Sequence, residues 1–348
     1  MPDNPSSLSK RKKEHLELCL SDKVSFKEKT NGFENYEFRH FAITEVNISK
    51  ISFDNEFFGK KISYPFLISC MTGGTDKAED INAQLAIAAK QLNIPIGVGS
   101  QRQALENRQF HKSYKIIRKK APGIPIIGNI GASQIVKLKT FDKIKYIADL
   151  IEADAMAVHV NSLQELMQEH GEPLFEGFLK AIEKVVEHSK IPIIVKEVGA
   201  GISKHAAYKL LNSGVKGIDI AGAGGTSWAG VEILRNDGNV NNEFWDWGLP
   251  TSYCIRTVSK LKNKFDFTLI GSGGLAGGFD IAKSLALGAD ITASARIILQ
   301  ELNKAGVEGV VNLINDWFNT VRKIMFLTGS ASIAELNYKK VIRKEKLY

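Results

Sequence analysis

The sequence predicts an α/β protein of the (β/α)8-barrel class, to which an N-terminal arm and a long loop after the sixth strand are added. Three observations predict this fold. Short apolar runs recur from about residue 65 onward, each is followed by a turn rich in glycine, serine or asparagine, and a segment with helical apolar spacing comes next. This alternation of strands and helices indicates a parallel sheet.

The eight predicted strands are residues 65–71, 94–99, 124–129, 155–161, 191–197, 217–221, 267–272 and 291–295. Helical spacing is clearest in residues 77–92, 175–189, 204–212 and 279–287. An open, doubly wound sheet is the alternative, but eight units in about 230 residues correspond to the size of a TIM barrel. The functional site is then expected at the C-terminal ends of the strands.

The chain divides into three parts. Residues 1–64 form an arm, predicted to pack at the barrel mouth and to contain a hairpin of residues 36–47 and 51–58. Residues 65–336 form the barrel, whose loop 226–250 is rich in tryptophan and asparagine and is expected to act as a lid. Residues 337–348 form a basic tail, expected to be solvated surface.

Composition restricts the class of protein. The 348 residues are 44% hydrophobic and 24% charged, which excludes a disordered chain. The net charge of +8 suits nucleic acid or anionic small molecules, but the cations lie at the two ends of the chain, so no nucleic-acid partner is expected. Three cysteines without Cys-x-x-Cys spacing indicate neither a disulfide framework nor a zinc site and suggest the cytoplasm. No apolar run is long enough to span a membrane.

A glycine-rich turn follows the seventh predicted strand. Residues 271–278 read Gly-Ser-Gly-Gly-Leu-Ala-Gly-Gly and precede a helix, and Ala293-Ser294-Ala295-Arg296 ends the eighth strand. Small residues let backbone N–H groups approach an anion, and barrels commonly bind phosphate after these two strands. The alternative is a plain tight turn. The sequence therefore predicts a phosphate site formed by both strand ends.

Small residues also follow other strands, in 71–74, 97–102, 128–131 and 222–228, which leaves room for a flat ligand such as a flavin. Lys196, at the end of the fifth strand, needs an anionic partner inside a barrel. That partner is either the anionic edge of a reduced flavin or a neighbouring carboxylate, Glu197 or Asp219.

Polar side chains also cluster after the fourth strand. His159 and Asn161 point the same way on an extended strand, and Gln164 and Glu165 follow closely. Glu165 is a candidate ligand for a Mg²⁺ ion held chiefly by a diphosphate. In the arm, Arg11 and His15 would share one helix face and could clamp phosphate oxygens, although a solvated charge run is the alternative.

These residues together resemble type 2 isopentenyl diphosphate isomerase, the FMN-dependent family, over residues 11 to about 300. The matching motifs are Arg11-Lys12 with Glu14-His15, Met71-Thr72-Gly73-Gly74, Gly99-Ser100-Gln101-Arg102, His159, Asn161 with Gln164-Glu165, and Gly224-Gly225-Thr226-Ser227-Trp228. The resemblance implies interconversion of isopentenyl and dimethylallyl diphosphate with reduced FMN and Mg²⁺, with NADPH only reducing the flavin. It also implies a homotetramer or homo-octamer.

The resemblance further implies a set of site residues. FMN contacts would come from Met71, Thr72, Gly73, Ser100, Asn129, Lys196, Thr226, Gly274, Leu275, Ala276, Ala295 and Arg296. Substrate would be held by Arg11, Lys12, Ser100, Gln101, Arg102, His159, Asn161 and Gln164, and Mg²⁺ by Glu165. The flavin would perform the acid and base chemistry, with Gln164, His159 and Lys196 as the catalytic side chains around it.

The sequence departs from the family pattern at three positions. Ala276 stands where the family usually has arginine, so the phosphate site is expected to depend on backbone N–H groups, and Arg296 could supply charge. Val160 for leucine and Glu172 for aspartate are mild changes. The alternative reading is another FMN barrel that oxidises 2-hydroxy acids, which needs a histidine base and paired arginines near the flavin.

Overall fold

The eight predicted strands form a closed parallel barrel. The computed structural model describes residues 5–74, 76–138, 140–236 and 242–347, with side chains from Arg11 onward apart from those of residues 76 and 242. In chain order the barrel strands are β1 Phe66–Ile68, β2 Ile96–Gly97, β3 Ile126–Gly131, β4 Ala155–Val160, β5 Ile193–Glu197, β6 Gly217–Asp219, β7 Thr268–Ser272 and β8 Ile291–Ser294. Each pairs with its sequence neighbour and β8 closes on β1, so the predicted fold class is confirmed.

Helices surround the barrel in the described ranges. They are α1 Pro5–Leu20, α2 Asp76–Leu92, α3 Arg102–Glu106, α4 His111–Lys120, α5 Ala132–Val136, α6 Asp142–Leu150, α7 Ser162–Met167, α8 Phe178–His188, α9 Lys204–Asn212, α10 Trp228–Arg235, α11 Thr251–Val258, α12 Gly278–Ala286 and α13 Arg296–Leu327. The long α13 is broken at Gly306, whose φ is +65°. No helix in the described ranges is both long and apolar enough to cross a bilayer.

Alternate side chains of six strands, β1, β3, β4, β5, β7 and β8, fill the barrel. One buried cluster contains Leu67, Ile127, Ala155, Ala157, Ile194, Ile270, Ile291 and Ala293. The same two-residue alternation, continued toward the C-terminal ends of β3, β4, β5 and β7, leads to Asn129, His159, Lys196 and Ser272. The barrel therefore has an apolar interior with a polar layer at its mouth.

A short hairpin closes the opposite end. Strands Asn55–Phe57 and Lys60–Ile62 pair with each other, and Phe57 and Ile62 join the apolar cluster inside the barrel. Lys60 forms an ion pair of 2.7 Å with Asp154, which lies just before β4. This hairpin covers the N-terminal ends of the strands, opposite the mouth.

The hairpin predicted from residues 36–47 and 51–58 is wrong. Tyr36–Phe38 pairs instead with Val341–Arg343, and the actual hairpin turns at Phe58 and Gly59, whose φ values are +45° and +82°. Two positive φ values give the turn a twist that matches paired strands. Phenylalanine is a rare residue in such a turn, and the partner of Tyr36–Phe38 lies about 300 residues away, so local sequence could indicate neither pairing.

Two other segments have more structure than the sequence predicts. The tail contributes the strand Val341–Arg343, in which Val341 is buried, so it is not simply solvated surface. The loop 226–250 contains α10, which begins after Ser227, because the Ser227 hydroxyl accepts a hydrogen bond from the N–H of Gly230. Residues 237–241 of this loop, residues 1–4 of the arm and residue 348 of the tail lie outside the described ranges.

Candidate active site

A layer of polar side chains lines the barrel mouth. The β4–β5 and β5–β6 registers place His159 beside Lys196 and Lys196 beside Asp219. Asn129 of β3 is on the other side of His159, and their side chains are hydrogen bonded at 2.9 Å. Ser272 of β7 donates a hydrogen bond to Asp219. Five neighbouring strands thus contribute one continuous set of polar groups.

The hydrogen bonds of Asn129 fix the tautomer of His159. Because the Asn129 amide nitrogen donates to the carbonyl of Val98, its Oδ1 must accept from Nδ1–H of His159. Nε2 of His159 is then an unprotonated acceptor. Burial, followed by the charges of Lys196 and Lys12, lowers the pKa of His159 to about 4. At neutral pH the imidazole is uncharged and can accept, but not donate, a hydrogen bond through Nε2.

This low pKa predicts a loss of stability in acid. Because the folded-state pKa lies below that of an unfolded histidine, the unfolded chain takes up the proton first, and stability falls as the pH drops from about 6.5 to about 4. The shift corresponds to roughly 3 kcal/mol. In urea unfolding at pH 7 and pH 4.5, His159→Gln should lose less stability than the parent, while the exposed His205→Gln should match the parent. Equal losses in the parent and His159→Gln would contradict this account.

Lys196 has a protein partner. Its ammonium donates to the carbonyl oxygen of Glu197 at 2.9 Å and lies 3.4 Å from Oδ2 of Asp219. The Glu197 carboxylate accepts backbone N–H groups of residues 198–201 instead, so of the two predicted carboxylate partners only Asp219 is correct. An ammonium has three protons, which leaves one for a ligand above the polar layer.

The segment after β4 presents the predicted carboxamides. The Asn161 amide nitrogen donates to Gln164 and to Glu165, both at 3.1 Å, while its Oδ1 is buried without a partner. A buried carbonyl oxygen without a donor is costly and indicates a missing ligand group. The second carboxylate oxygen of Glu165 accepts the N–H of Glu172 at 2.8 Å. Asn161, Gln164 and Glu165 are therefore brought together as predicted.

The arm lies across the mouth of its own barrel. Helix α1 places the Lys12 ammonium 2.5 Å from the carbonyl oxygen of Gly73, and burial, reinforced by Arg11, lowers the pKa of Lys12 to about 7. Burial tends to raise the pKa of the Glu172 carboxylate, but Lys137, Arg102 and, to a smaller extent, Arg11 lower it below its usual value. His15 does not join Arg11 in a phosphate clamp, because its Nε2 donates to Glu232 at 2.9 Å. That part of the prediction is wrong.

Glu232 is a central residue that the sequence does not reveal. Its side chain is fully buried and accepts hydrogen bonds from His15, from Gln164 at 3.1 Å and from Arg235 at 2.5 Å. Burial tends to raise the pKa of Glu232, but these donors outweigh it and hold the pKa below its usual value. Arg235 also binds Glu14 at 3.1 Å. One carboxylate thus joins the arm, α10 and the Gln164 segment.

The loops after β1 and β2 pack tightly on each other. Gly99 must be glycine, since a Cβ there would lie 2.5 Å from the Thr72 backbone, and a Cβ on Gly73 would collide with Tyr114. Met71 and Thr72 are half-buried beside them. The Ser100 carbonyl accepts the Tyr114 hydroxyl at 2.6 Å. These loops form a close-packed rim at the mouth.

Two polar residues of this rim have different roles. Gln101 is fully buried in the barrel wall, where its amide donates to the carbonyl of Ile147 and accepts the N–H of Asn129. Both ends of its side chain are hydrogen bonded within the wall, so the structure does not direct this side chain toward the mouth. Arg102 is half-buried, 2.9 Å from Glu106 and 3.7 Å from Glu172. Arg102 lies near the mouth. Arg102 and Arg11 both lower the pKa of Glu172, so the two guanidinium groups lie near the same carboxylate.

The predicted phosphate site is a turn between β7 and α12 beside the start of α13. Gly274 has a φ of +71°, and a Cβ there would lie 2.4 Å from the Gly224 carbonyl oxygen. Within the described ranges the N–H groups of Gly274, Leu275, Ala295 and Arg296 have no protein acceptor. Thr226 lies alongside, bridged to Ser25 of the arm. Backbone donors from two neighbouring strand ends therefore remain available.

Two details of this site differ from expectation. The N–H of Ala276 donates to the Asp280 carboxylate at 3.0 Å, so it is not available to phosphate. The Arg296 guanidinium points to the arm, donating to the Ser25 hydroxyl at 2.8 Å and to the Ser21 carbonyl at 3.5 Å. Arg296 therefore fastens the arm and does not replace the usual arginine through its side chain. The arm also reaches Gly274, whose carbonyl accepts the amide of Asn31.

These groups fit a flavin mononucleotide. The free N–H groups at the Gly274 turn and at the start of α13 suit a phosphate. The remaining proton of Lys196 suits the anionic edge of the flavin ring. Asn129, on the strand next to that of His159, lies in the same polar layer. Within the described ranges no group of three or more His, Cys, Asp or Glu side chains is arranged to hold a metal ion.

Comparison with known proteins identifies the family of the chain. The FMN-dependent dehydrogenase family model matches residues 5–112 and 129–343. An isopentenyl-diphosphate delta-isomerase of Pelodictyon phaeoclathratiforme is 42% identical over 97% of this chain and 98% of the relative. One from Pyrococcus furiosus is 41% identical over 94% of this chain and 84% of the relative.

Among solved structures, a flavocytochrome b2 variant has a TM-score of 0.69 at 19% identity, covering 97% of this chain and 83% of that chain. A mandelate oxidase variant bound to mandelic acid has a TM-score of 0.67 at 15% identity, covering 98% of both. At such identities the likeness concerns the fold alone. The relatives that are about 40% identical over nearly the whole chain are decisive. The chain therefore belongs to the FMN-dependent isopentenyl-diphosphate delta-isomerase family.

Proposed function

We propose that this protein interconverts isopentenyl diphosphate and dimethylallyl diphosphate by a 1,3-proton shift, using reduced FMN and Mg²⁺. The observation that supports it most is the convergence of three features at one mouth. These are the ammonium of Lys196 above an apolar barrel, the uncharged His159, and the cationic helix α1 lying across them. A diphosphate with a small hydrocarbon group needs both a cationic and an uncharged region.

The diphosphate would be held by cations of the arm and rim. Lys12 lies close to both Arg11 and Arg102, since the charge of each guanidinium contributes to the lowered pKa of Lys12. Burial lowers the pKa of Lys12, and an adjacent diphosphate would favour its charged form. The buried Oδ1 of Asn161 and the acceptor Nε2 of His159 would contact donors of the bound ligands, and Ser100 lies on the rim beside Arg102. These groups supply orientation, which alone accounts for a large part of catalysis.

When bound in the reduced state, FMN would supply both the proton donor and acceptor and an electron-rich face for the reacting carbons. Lys196 and Asn129 would hold the ring, and Met71, Thr72 and Gly73 would line it. The N–H groups of Gly274, Leu275, Ala295 and Arg296 would hold its phosphate. Thr226 lies beside them.

Gln164 would orient the substrate from the other side. Its Oε1 accepts from Asn161 and its Nε2 donates to Glu232, so the amide cannot rotate freely. Glu232 has no exposed surface, so this part of the site excludes water. A fixed, dry carboxamide is a preorganised polar group of the kind that stabilises developing charge.

Glu165 would supply the protein's carboxylate to Mg²⁺, and the diphosphate would provide further oxygen ligands, since Mg²⁺ usually takes only one or two carboxylates. Replacing Glu165 by Gln should raise the Mg²⁺ concentration for half-maximal activity by about ten-fold. The exposed Glu169→Gln, four residues along the chain, serves as the matched control. An unchanged Mg²⁺ requirement in Glu165→Gln would place the metal elsewhere.

NADPH would serve only to reduce the flavin, because the isomerisation has no net redox change. We also propose that the protein assembles as a homotetramer or homo-octamer, on the basis of the family resemblance. Sedimentation equilibrium of the flavin-loaded protein distinguishes these from a monomer.

The direct test of the substrate class is a side-by-side assay. Flavin-loaded protein is incubated anaerobically with isopentenyl diphosphate, Mg²⁺ and NADPH, and separately in the oxidised state with 2-hydroxy acids such as lactate. We expect dimethylallyl diphosphate in the first incubation and no bleaching of the flavin in the second. Bleaching by the hydroxy acid without isomerisation would favour the 2-hydroxy acid oxidase alternative instead.

A further inference from the structure

A large cavity lies far from the mouth. It has a volume of about 960 Å³ and is lined by the loop between α12 and β8, by residues after α11 and by the C-terminal segment. Asp290, which immediately precedes β8, is among its lining residues, so the cavity is at the N-terminal ends of the strands. Its volume is in the upper range for small-molecule sites.

The cavity has a cationic rim. Arg39, Arg256, Lys260, Lys262, Arg343 and Lys346 line it, against the two acids Asp54 and Asp290. Lys262 is neutralised by Asp290 at 2.5 Å and Arg343 binds Glu345 at 2.7 Å. Within the described ranges, Arg39, Lys260 and Lys346 form no ion pair. The rim therefore carries excess positive charge that the reaction at the mouth does not use.

Arg256 is the strongest indication of a ligand. This residue of α11 is half-buried, and its Nε is sealed from solvent without a hydrogen-bond acceptor. Its guanidinium lies 5.9 Å from the ring of Tyr253 and meets no carboxylate in the described ranges. Arg118 offers a comparison: its Nε also lacks a hydrogen-bond acceptor, but its guanidinium lies 3.9 Å from Glu152 and binds Asp154 at 3.0 Å. A half-buried guanidinium without an anionic partner is energetically costly, and it therefore indicates a binding site for an anion.

The floor of the cavity is apolar. Leu285 and Leu287, at the end of α12, and Leu336 and Val341 of the C-terminal segment are buried there. The basic tail contributes Arg343 and Lys346 to the rim of the cavity. Lys340 and Lys344 of the same tail instead contact the Thr328 carbonyl and Glu37, respectively. The cavity offers cations at its edge and hydrocarbon at its base.

We propose that this cavity is a second ligand site for an anionic amphiphile, that is, a molecule with a phosphate or diphosphate head and a hydrocarbon tail. The head binds Arg256 with help from Lys260 and Lys346, and the tail lies on the leucine floor. Because the site is at the opposite end of the barrel from the mouth, its occupation does not depend on the reaction proposed there.

The test is calorimetric titration of the oxidised, FMN-loaded protein with farnesyl diphosphate, in the presence of Mg²⁺ and saturating isopentenyl diphosphate to occupy the mouth. We expect one molecule to bind per chain. Arg256→Gln should weaken this binding at least about ten-fold, as loss of a charge-assisted contact does. The double variant Lys260→Glu/Lys346→Glu, which changes only exposed side chains, should weaken it several-fold, and the exposed Lys180→Ala on α8 should leave it unchanged.

Two further ligands separate head from tail. Inorganic diphosphate should bind at least about ten-fold more weakly than farnesyl diphosphate, because it leaves the apolar floor uncovered. Sedimentation with phosphatidic acid vesicles distinguishes the source of the head group. If the protein binds the vesicles and Arg256→Gln weakens this binding, the ligand is a membrane lipid. If the protein does not bind the vesicles, the ligand is a free molecule. Two results would overturn the proposal. One is complete displacement of farnesyl diphosphate by isopentenyl diphosphate, and the other is equal affinity of the parent and Arg256→Gln for farnesyl diphosphate. Neither result depends on turnover.

Discussion

Replacing Glu232 by alanine is expected to lower kcat/KM for isopentenyl diphosphate by about a hundred-fold and to destabilise the fold by about 3 kcal/mol. The carboxylate has no exposed surface and accepts from His15, Gln164 and Arg235. Without it, the Gln164 amide loses its fixed orientation and helix α1 loses the hydrogen bond from His15 to α10. Steady-state kinetics and urea unfolding measure the two effects separately.

Glu14→Ala is the matched control for this variant. Glu14 binds the same Arg235, but its side chain is 35% exposed, so the loss should be below about 1 kcal/mol and the kinetic effect only a few-fold. Glu232→Gln keeps the shape and should lie between the two. If Glu232→Ala retains kcat/KM within a few-fold of the parent once it is shown to be folded, the carboxylate does not position the site.

Replacing Gly274 by valine should abolish tight FMN binding, with an increase in Kd of at least about a hundred-fold. Gly274 has a φ of +71°, which disfavours a β-branched residue, and a Cβ there would lie 2.4 Å from the Gly224 carbonyl oxygen. The turn must move, and it takes the free N–H groups of Gly274 and Leu275 with it. Fluorescence titration of the flavin-free protein with FMN gives the Kd.

Ala276→Arg tests the same turn in the opposite direction. Ala276 is exposed, so a longer side chain meets no steric obstacle, and an added guanidinium should maintain or tighten FMN binding. Flavin-free Gly274→Val must also show the cooperative unfolding of the parent, so that loss of affinity is not loss of fold. Parent-like FMN affinity in folded Gly274→Val would mean that the phosphate lies elsewhere.

The barrel could be predicted because its signals are local. Each strand is an apolar run bounded by a glycine-rich turn, and the two-residue alternation carries directly from Ala157 to His159 and from Ile194 to Lys196. The clustering of Asn161, Gln164 and Glu165 followed from their spacing, since they lie on one short turn after β4.

The missed features depend on contacts between distant segments. Gln101 and Arg102 are adjacent, yet one faces the barrel wall and the other the mouth, and residue type does not distinguish them. Arg296 follows the predicted phosphate site, but its long side chain reaches the arm. Glu232 belongs to an ordinary amphipathic helix, and its role arises only because α1, more than 200 residues earlier, packs on it. Such pairings are set by tertiary packing, which local patterns do not encode.

The central claim is that the flavin at this mouth performs acid and base chemistry without net redox change. The most direct measurement uses FMN-loaded protein, reduced under anaerobic conditions in deuterated water, with isopentenyl diphosphate and Mg²⁺. We expect many turnovers to dimethylallyl diphosphate with carbon-bound deuterium, while the flavin band near ~450 nm stays bleached throughout. Return of that band in proportion to the substrate consumed, or absence of isomerisation by the reduced protein, would contradict the claim.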